Sequence, residues 1–187
     1  MRVRERFVEA RTAYDRAFKR IGTLRSHHWP LLYARGIVLE RTKQWKRAEA
    51  DFLKALEFNP DQPSVLNYLG YSWVDQGRYL DRAKGMIQKA VDLRPNDGYI
   101  VDSLGWAYFR LGEFSNSVKE MERAVELMPE DPVLNDHLGD ALWRVGRKLE
   151  ARYQWNRVLI LQPKDDLRVQ IAGKLADGLP DVPAKTN

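Results

Sequence analysis

No cysteine occurs in the chain, so disulfides, thiolate nucleophiles and sulfur metal ligands are all excluded, and thiol usage says nothing of the redox compartment. Histidine is nearly as scarce. His27, His28 and His137 have no spacing that suggests a metal site, and the adjacent pair reads as solvated loop, so no metal or other cofactor is expected. No apolar run approaches the roughly 18–20 residues that span a bilayer, and the opening MRVRERFVEAR lacks the apolar segment and cleavage site of a signal peptide. A phosphate-binding glycine loop and a nucleophile elbow are missing too. Asp136 and Asp140, one helical turn apart, come nearest to an acid–base pair, but no nucleophile accompanies them. These absences point away from an enzyme and from a membrane-spanning protein, and leave cytoplasm and periplasm both open.

What is present begins with ordinary composition: 44% hydrophobic and 30% charged residues suit a folded domain. The net charge of +5 is confined to the first 25 residues, where eight bases face three acids and account for the whole excess. A terminal basic segment without exposed stacking rings is a poor case for nucleic-acid binding.

The organising feature is a repeat. Gly36, Gly70, Gly105 and Gly139 recur at 34, 35 and 34 residues, and Pro60, Pro95, Pro129 and Pro163 at 35, 34 and 34; Ala55, Ala90, Ala124 and Val158 precede each proline by five. Within a unit the pattern is helix, turn, helix. LNYLGYSWVDQG, YIVDSLGWAYFRLG and LNDHLGDALWRVG end at Gly77, Gly112 and Gly146, each able to close a helix in the left-handed conformation. The second helices, such as NSVKEMERAVELMP, space apolar residues by three and four and stop before a proline. Asp131 before Pro132 fits an N-cap. One extra residue, in GRYLDRA, falls in the turn of the second unit.

A helix pair with Leu69, Gly70, Trp73, Ala83, Ile87, Ala90 and Pro95 in one unit, and Leu104, Gly105, Tyr108, Met121, Ala124 and Pro129 in the next, resembles the tetratricopeptide repeat. The resemblance implies an all-α fold, a right-handed superhelical solenoid of antiparallel helix pairs, with units at residues 29–62, 63–97, 98–131 and 132–165. Ser117 and Arg35 depart from the family pattern, and Arg35 predicts looser packing of the first unit. Residues 166–177 read as a capping helix and 178–187 as a mobile tail. Residues 1–28 read as the basic second helix of an incomplete N-terminal repeat, through Phe7, Ala10, Tyr14, Ala17 and Ile21, whose first helix would lie before Met1. That leaves an apolar face and predicts self-association through residues 1–25 or further repeats upstream.

In this family the first helices line a concave groove. The resemblance therefore sends Tyr99, Asp102, Trp106, Phe109 and Arg110 into it, with Asn67, Tyr71 and Asp75 on one side and Asp136, Asp140, Trp143 and Arg144 on the other, while Val101, Leu104, Gly105 and Tyr108 pack between helices. For Tyr71, Trp106, Phe109 and Trp143, burial between helices stays an open alternative. The family's clamp for a terminal carboxylate is absent, since its slots hold Tyr33, Ile37, Tyr68, Tyr99 and Ser103. The implied function is a non-catalytic scaffold or adaptor that binds a peptide or an extended protein segment. The wording of the units is also similar to bacterial cell-envelope repeat proteins, including adaptors for carboxyl-terminal processing proteases, which would imply such a protease as partner and the periplasm as compartment. The alternative is a regulatory or targeting segment of a larger enzyme.

Overall fold

The computed structural model describes residues 2–180, with side chains from residue 6 onward. Ten α-helices are present among them and no strand. They are α1 Arg2–Ile21, α2 Trp29–Arg41, α3 Trp45–Phe58, α4 Pro63–Asp75, α5 Leu80–Leu93, α6 Gly98–Leu111, α7 Phe114–Leu127, α8 Pro132–Arg144, α9 Lys148–Ile160 and α10 Asp165–Asp177, with a short 3-10 turn at Ser26–His28 before α2. Helices pair as α2/α3, α4/α5, α6/α7 and α8/α9, and first helices also touch along the array, α4 on α6 and α6 on α8. The result is an all-helical repeat array whose first helices form one continuous face. None of the described helices is long and apolar enough to cross a membrane.

The glycine column explains the pairing. At Gly36, Gly70, Gly105 and Gly139 an added Cβ would lie 2.5, 2.7, 2.6 and 2.4 Å from Phe52, Ile87, Met121 and Trp155. Each first helix thus has a notch, and each second helix inserts a large side chain into it at the same register. Phe52, Ile87, Met121 and Trp155 are all fully buried, as are Ala55, Ala90, Ala124 and Val158 one turn further on. A core residue of this size contributes about 1.5–3 kcal/mol by burial, so one notch per unit is a substantial share of the pair's stability.

Turn chemistry sets the unit boundaries. Gly77, Gly112 and Gly146 have φ of 66, 79 and 83° at the ends of α4, α6 and α8. The extra residue of the second unit is absorbed before α5, where Tyr79 takes a left-handed φ of 50° and rests its ring edge-on against Trp73. Asp131 caps α8 by accepting from the backbone N–H groups of Val133 and Leu134 at 2.8 and 3.1 Å.

The first unit departs from the looser packing predicted for it. Arg35 donates twice to the buried Asp51 carboxylate at 2.7 Å, and its guanidinium lies 3.5 Å from the centre of the Phe18 ring. The arginine therefore ties α1, α2 and α3 together, and Leu32, Leu39, Ala48 and Phe52 of this unit are all buried. Of the tail expected at 178–187, residues 181–187 lie outside the described residues. Residues 178–180 lie against α8: Gly178, at φ 75°, leaves no room for a Cβ beside the Trp143 ring, and the Arg144 guanidinium donates to the Pro180 carbonyl at 2.6 Å.

Candidate functional site

The face made by the first helices contains an open cleft of about 480 Å³ running from α2 across α4 and α6 to the start of α8. Glu40 and Arg41 form one end; Asn67, Tyr68, Tyr71, Ser72, Asp75 and Gln76 come from α4 and its end; Tyr99, Asp102 and Ser103 come from α6; and Asp131, Val133, Leu134 and His137 close the far side. The geometry follows from the period. Residues on one stripe of the first helices are brought side by side where α4 packs on α6 and α6 on α8.

Contacts between units fix this lining. The Tyr99 hydroxyl donates to Asp131 at 2.9 Å, so one carboxylate both caps α8 and holds a ring on α6. The Tyr68 hydroxyl donates to Glu40 at 3.2 Å. His137 Nδ1 lies 2.9 and 3.1 Å from the two oxygens of the buried Asp102 carboxylate, and because that carboxylate only accepts, Nδ1 carries the proton. Arg110 donates to the backbone carbonyl of Asp75 at 3.0 Å.

Burial and neighbouring carboxylates shape the titration of these groups. Burial, then the Asp102 and Asp75 carboxylates, pushes the Tyr71 phenol up to about 12, and burial with Glu40 does the same for Tyr68. Both hydroxyls therefore remain donors at any physiological pH. Burial of the His137 ring opposes its protonation, but Asp102, with Asp136 and Asp140 behind it, outweighs that cost and holds His137 above the usual imidazole range.

The structure divides the residues assigned to the groove from the sequence into three groups. Asn67, Tyr71, Tyr99 and Asp102 line the cleft. Trp106 and Phe109 are half-buried and stacked on one another at 4.9 Å with ring planes 6° apart; Trp106 also stacks on His137 at 4.6 Å, and Phe109 meets Phe114 edge-on. The Trp106 Nε1–H is shut off from solvent and has no acceptor among the described residues. Trp106 thus joins one unit to the next through His137, and Arg110 does the same through Asp75.

The third group sits under the C-terminal helix. Lys174 of α10 places its ammonium 2.6 Å from Asp136 and 2.7 Å from Asp140, and Trp155 Nε1–H donates to Asp140 at 3.1 Å. Burial and the adjacent Asp136 carboxylate nevertheless raise the Asp140 carboxyl to about 6, the lysine offsetting part of the effect. Trp143 packs on Trp155 at 5.4 Å and carries the Lys148 ammonium over its ring, while Arg144 is held by Pro180. Sequence reasoning missed Glu40, Asp131 and His137 as members of the cleft; the available signal was position for Asp131 and His137, which stand 32 and 35 residues, close to one repeat period, from Tyr99 and Asp102, whereas Glu40 lies 28 residues from Tyr68.

Profiles of the tetratricopeptide repeat match residues 29–62 and 103–166, together just over half of the chain. A tetratricopeptide repeat-containing protein of Pseudomonas aeruginosa is 34% identical over 93 residues, which are 50% of this chain and 16% of that protein. Superkiller complex protein 3 of Mus musculus is 29% identical over 92 residues, 49% of this chain and 6% of that protein. The chain therefore spans a small part of the length of these relatives. Among solved structures, a tetratricopeptide protein of Thermus thermophilus superposes with a TM-score of 0.75 at 22% identity, covering 92% of both chains. YrrB, a tetratricopeptide protein with an unusual peptide-binding site, superposes at 0.68 with 20% identity, over 90% of this chain and 84% of that one. At these identities the likeness is one of fold.

Proposed function

Because the chain belongs to the tetratricopeptide repeat family, whose domains are protein-interaction modules, we propose that it is a non-catalytic scaffold that holds an extended protein segment in the cleft between α2 and α8. The observation that carries this reading is the cleft lining: tyrosines and carboxylates from four successive first helices, held in place across units by the Tyr68–Glu40, Tyr99–Asp131 and His137–Asp102 pairs. A surface fixed in advance loses little side-chain entropy on binding, and tyrosines supply contact area with hydrogen-bonding capacity. The C-terminal portion of the groove contributes less, because Asp136, Asp140, Trp143 and Arg144 are engaged by α10 and residues 178–180.

Selection of displayed random peptides on the immobilised chain tests the reading. Selected peptides should bind the parent and lose about tenfold or more in affinity on Asn67→Ala or Tyr71→Ala, as central contacts do. Peptides that bind both variants as tightly as the parent would place the interaction elsewhere.

A finer role follows the same line. An adaptor that brings substrates to a carboxyl-terminal processing protease needs such a cleft, and that role rests on the similar wording of the repeat units. The reading of the chain as a regulatory segment of a larger protein is supported by the small fraction of its relatives' length that it spans. Co-purification from the native organism separates the two: a separate protease chain favours the adaptor, and a catalytic domain on the same polypeptide favours the segment.

A further inference from the structure

The outer stripe of α9 departs from that of the second helices before it. Aligned on Ala55, Ala90, Ala124 and Val158, the stripe has Lys46 and Glu57 at its two ends on α3, Asp81 and Asp92 on α5, and Ser115 and Glu126 on α7, with Lys119 between the last two. On α9 the same places hold Leu149, Tyr153 and Ile160, which are 85%, 63% and 77% exposed. Ala151, Trp155 and Val158 bury the opposite side of this helix, so α9 is apolar on both faces, a pattern expected of a helix that is covered on both. A further repeat is not the cover. Units follow α5 and α7, and yet Asp81, Asp92, Ser115, Lys119 and Glu126 are exposed there, so stacking leaves this stripe open.

The stripe specifies what could cover it. It runs over residues 149–160, about 16 Å along the helix, at the i, i+4, i+11 spacing on which the ridges of a second helix pack. Beside it, Tyr153, Asn156, Ile160 and Leu161, with Glu130 and Arg157, line a cavity of about 280 Å³, room for one large apolar side chain. The edges are basic. At 3.6 residues per turn Arg152 and Arg157 fall on opposite sides of the stripe. Arg152 donates to the Leu175 carbonyl and Arg157 to the Pro129 carbonyl, and no carboxylate among the described residues pairs with either. Glu150 and Glu122, on the Arg157 side, are already neutralised by Arg147. A guanidinium has five N–H donors, so both arginines keep some for an incoming carboxylate.

We propose that the outer face of α9 docks an amphipathic helix of a partner protein, whose apolar side chains meet Leu149, Tyr153 and Ile160 and whose acidic edges meet Arg152 and Arg157. This surface is separate from the cleft, which the first helices line. The test gives α9 the residues of α7, in the triple variant Leu149→Ser, Tyr153→Lys, Ile160→Glu. Displayed random peptides of about 20 residues are selected on the parent and depleted on the triple variant, which leaves ligands of this face. The proposal expects those ligands to gain helicity on binding, read by circular dichroism, and to carry Asp or Glu beside their apolar stripe. Changing these acids to Asn or Gln should cost about tenfold or more in affinity on the parent and much less on Arg157→Gln. Peptides that lose affinity on Asn67→Ala should bind the triple variant as they bind the parent. If that variant loses helicity, Tyr153→Ser takes its place. Ligands that bind without helicity, ligands with neutral or basic edges, or a selection that yields none specific to the parent would overturn the proposal and leave the reading of the cleft standing. A concentration-dependent dimer of the parent in sedimentation equilibrium, abolished in the triple variant, would assign the face to a second copy and overturn it too.

Discussion

Replacing Lys174 by methionine removes the ammonium that stands between Asp136 and Asp140 and leaves two carboxylates facing each other under α10. The side chains are 15%, 8% and 10% exposed, so little solvent is available to take over the lysine's role. Removing one partner of a buried ion pair costs about 3–5 kcal/mol. Protonation caps that cost, because a carboxyl with an unfolded pKa of about 3.9 can be neutralised for about 4 kcal/mol at pH 7 but for about 1.5 kcal/mol at pH 5. The sign is already visible in the parent. Asp140 titrates higher when folded, at about 6, so the folded state binds more protons and stability falls as pH rises from the ordinary carboxyl value through 6. Lys174→Met should steepen that fall, with a loss of about 3–4 kcal/mol at pH 7 shrinking to about 1.5 kcal/mol at pH 5. A repeat array can shed its terminal unit first, so the loss should be read locally, by amide hydrogen exchange in α8–α10, alongside urea melts followed by tryptophan fluorescence. Adding Asp136→Asn and Asp140→Asn to Lys174→Met should restore most of the stability at pH 7. A loss under about 1 kcal/mol at pH 7, or one equal at pH 5 and pH 8, would refute the reasoning.

Gly105→Leu should cost about 3 kcal/mol or more in a thermal or urea melt, because its Cβ alone would lie 2.6 Å from Met121 Cγ and 3.3 Å from the Met121 backbone nitrogen. Trp106→Ala removes a half-buried ring stacked on Phe109 and His137 and should cost about 2 kcal/mol, below the 3–5 kcal/mol of a fully buried tryptophan, while far-ultraviolet circular dichroism keeps its helical form. His137→Gln keeps a donor for Asp102 and removes a titration: the parent's His137 contribution is complete below about pH 6.5 and declines as pH rises through the raised folded value, whereas urea midpoints of the variant should stay flat across that window.

Much of the fold was legible because a repeat writes each packing rule several times. Gly36, Gly70, Gly105 and Gly139 share a period with the side chains they accommodate, so a notch in one helix and an insert in the next appear as paired columns even where Phe52, Ile87, Met121 and Trp155 differ in shape. Arg35 shows where such reading stops. A charge in an apolar column predicts looseness, but its partners, Asp51 sixteen residues on and the Phe18 ring on α1, lie outside the column. The tryptophans were undecided for a related reason: Trp106 and Trp143 sit on the groove stripe, yet each is covered from further along the chain, by His137 of the next unit in one case and by residue 178, after the capping helix, in the other.

These covering groups form a series that bears on the cleft. From α4 onward, each later helix on this face sends a basic side chain back to the earlier one: Arg110 to the Asp75 carbonyl, His137 to the Asp102 carboxylate, and Lys174 of the capping helix to Asp136 and Asp140. At the last two junctions the base meets the carboxylate itself, and the groove there is filled by protein contacts. At the first of these, between α4 and α6, Arg110 meets the carbonyl instead, and the Asp75 carboxylate is left within an open cleft one turn from Tyr71. Bases that meet carboxylates thus close the C-terminal half of the groove, whereas Arg110, bound to a carbonyl, leaves the N-terminal half open, which is why the proposed binding site lies there rather than under α10.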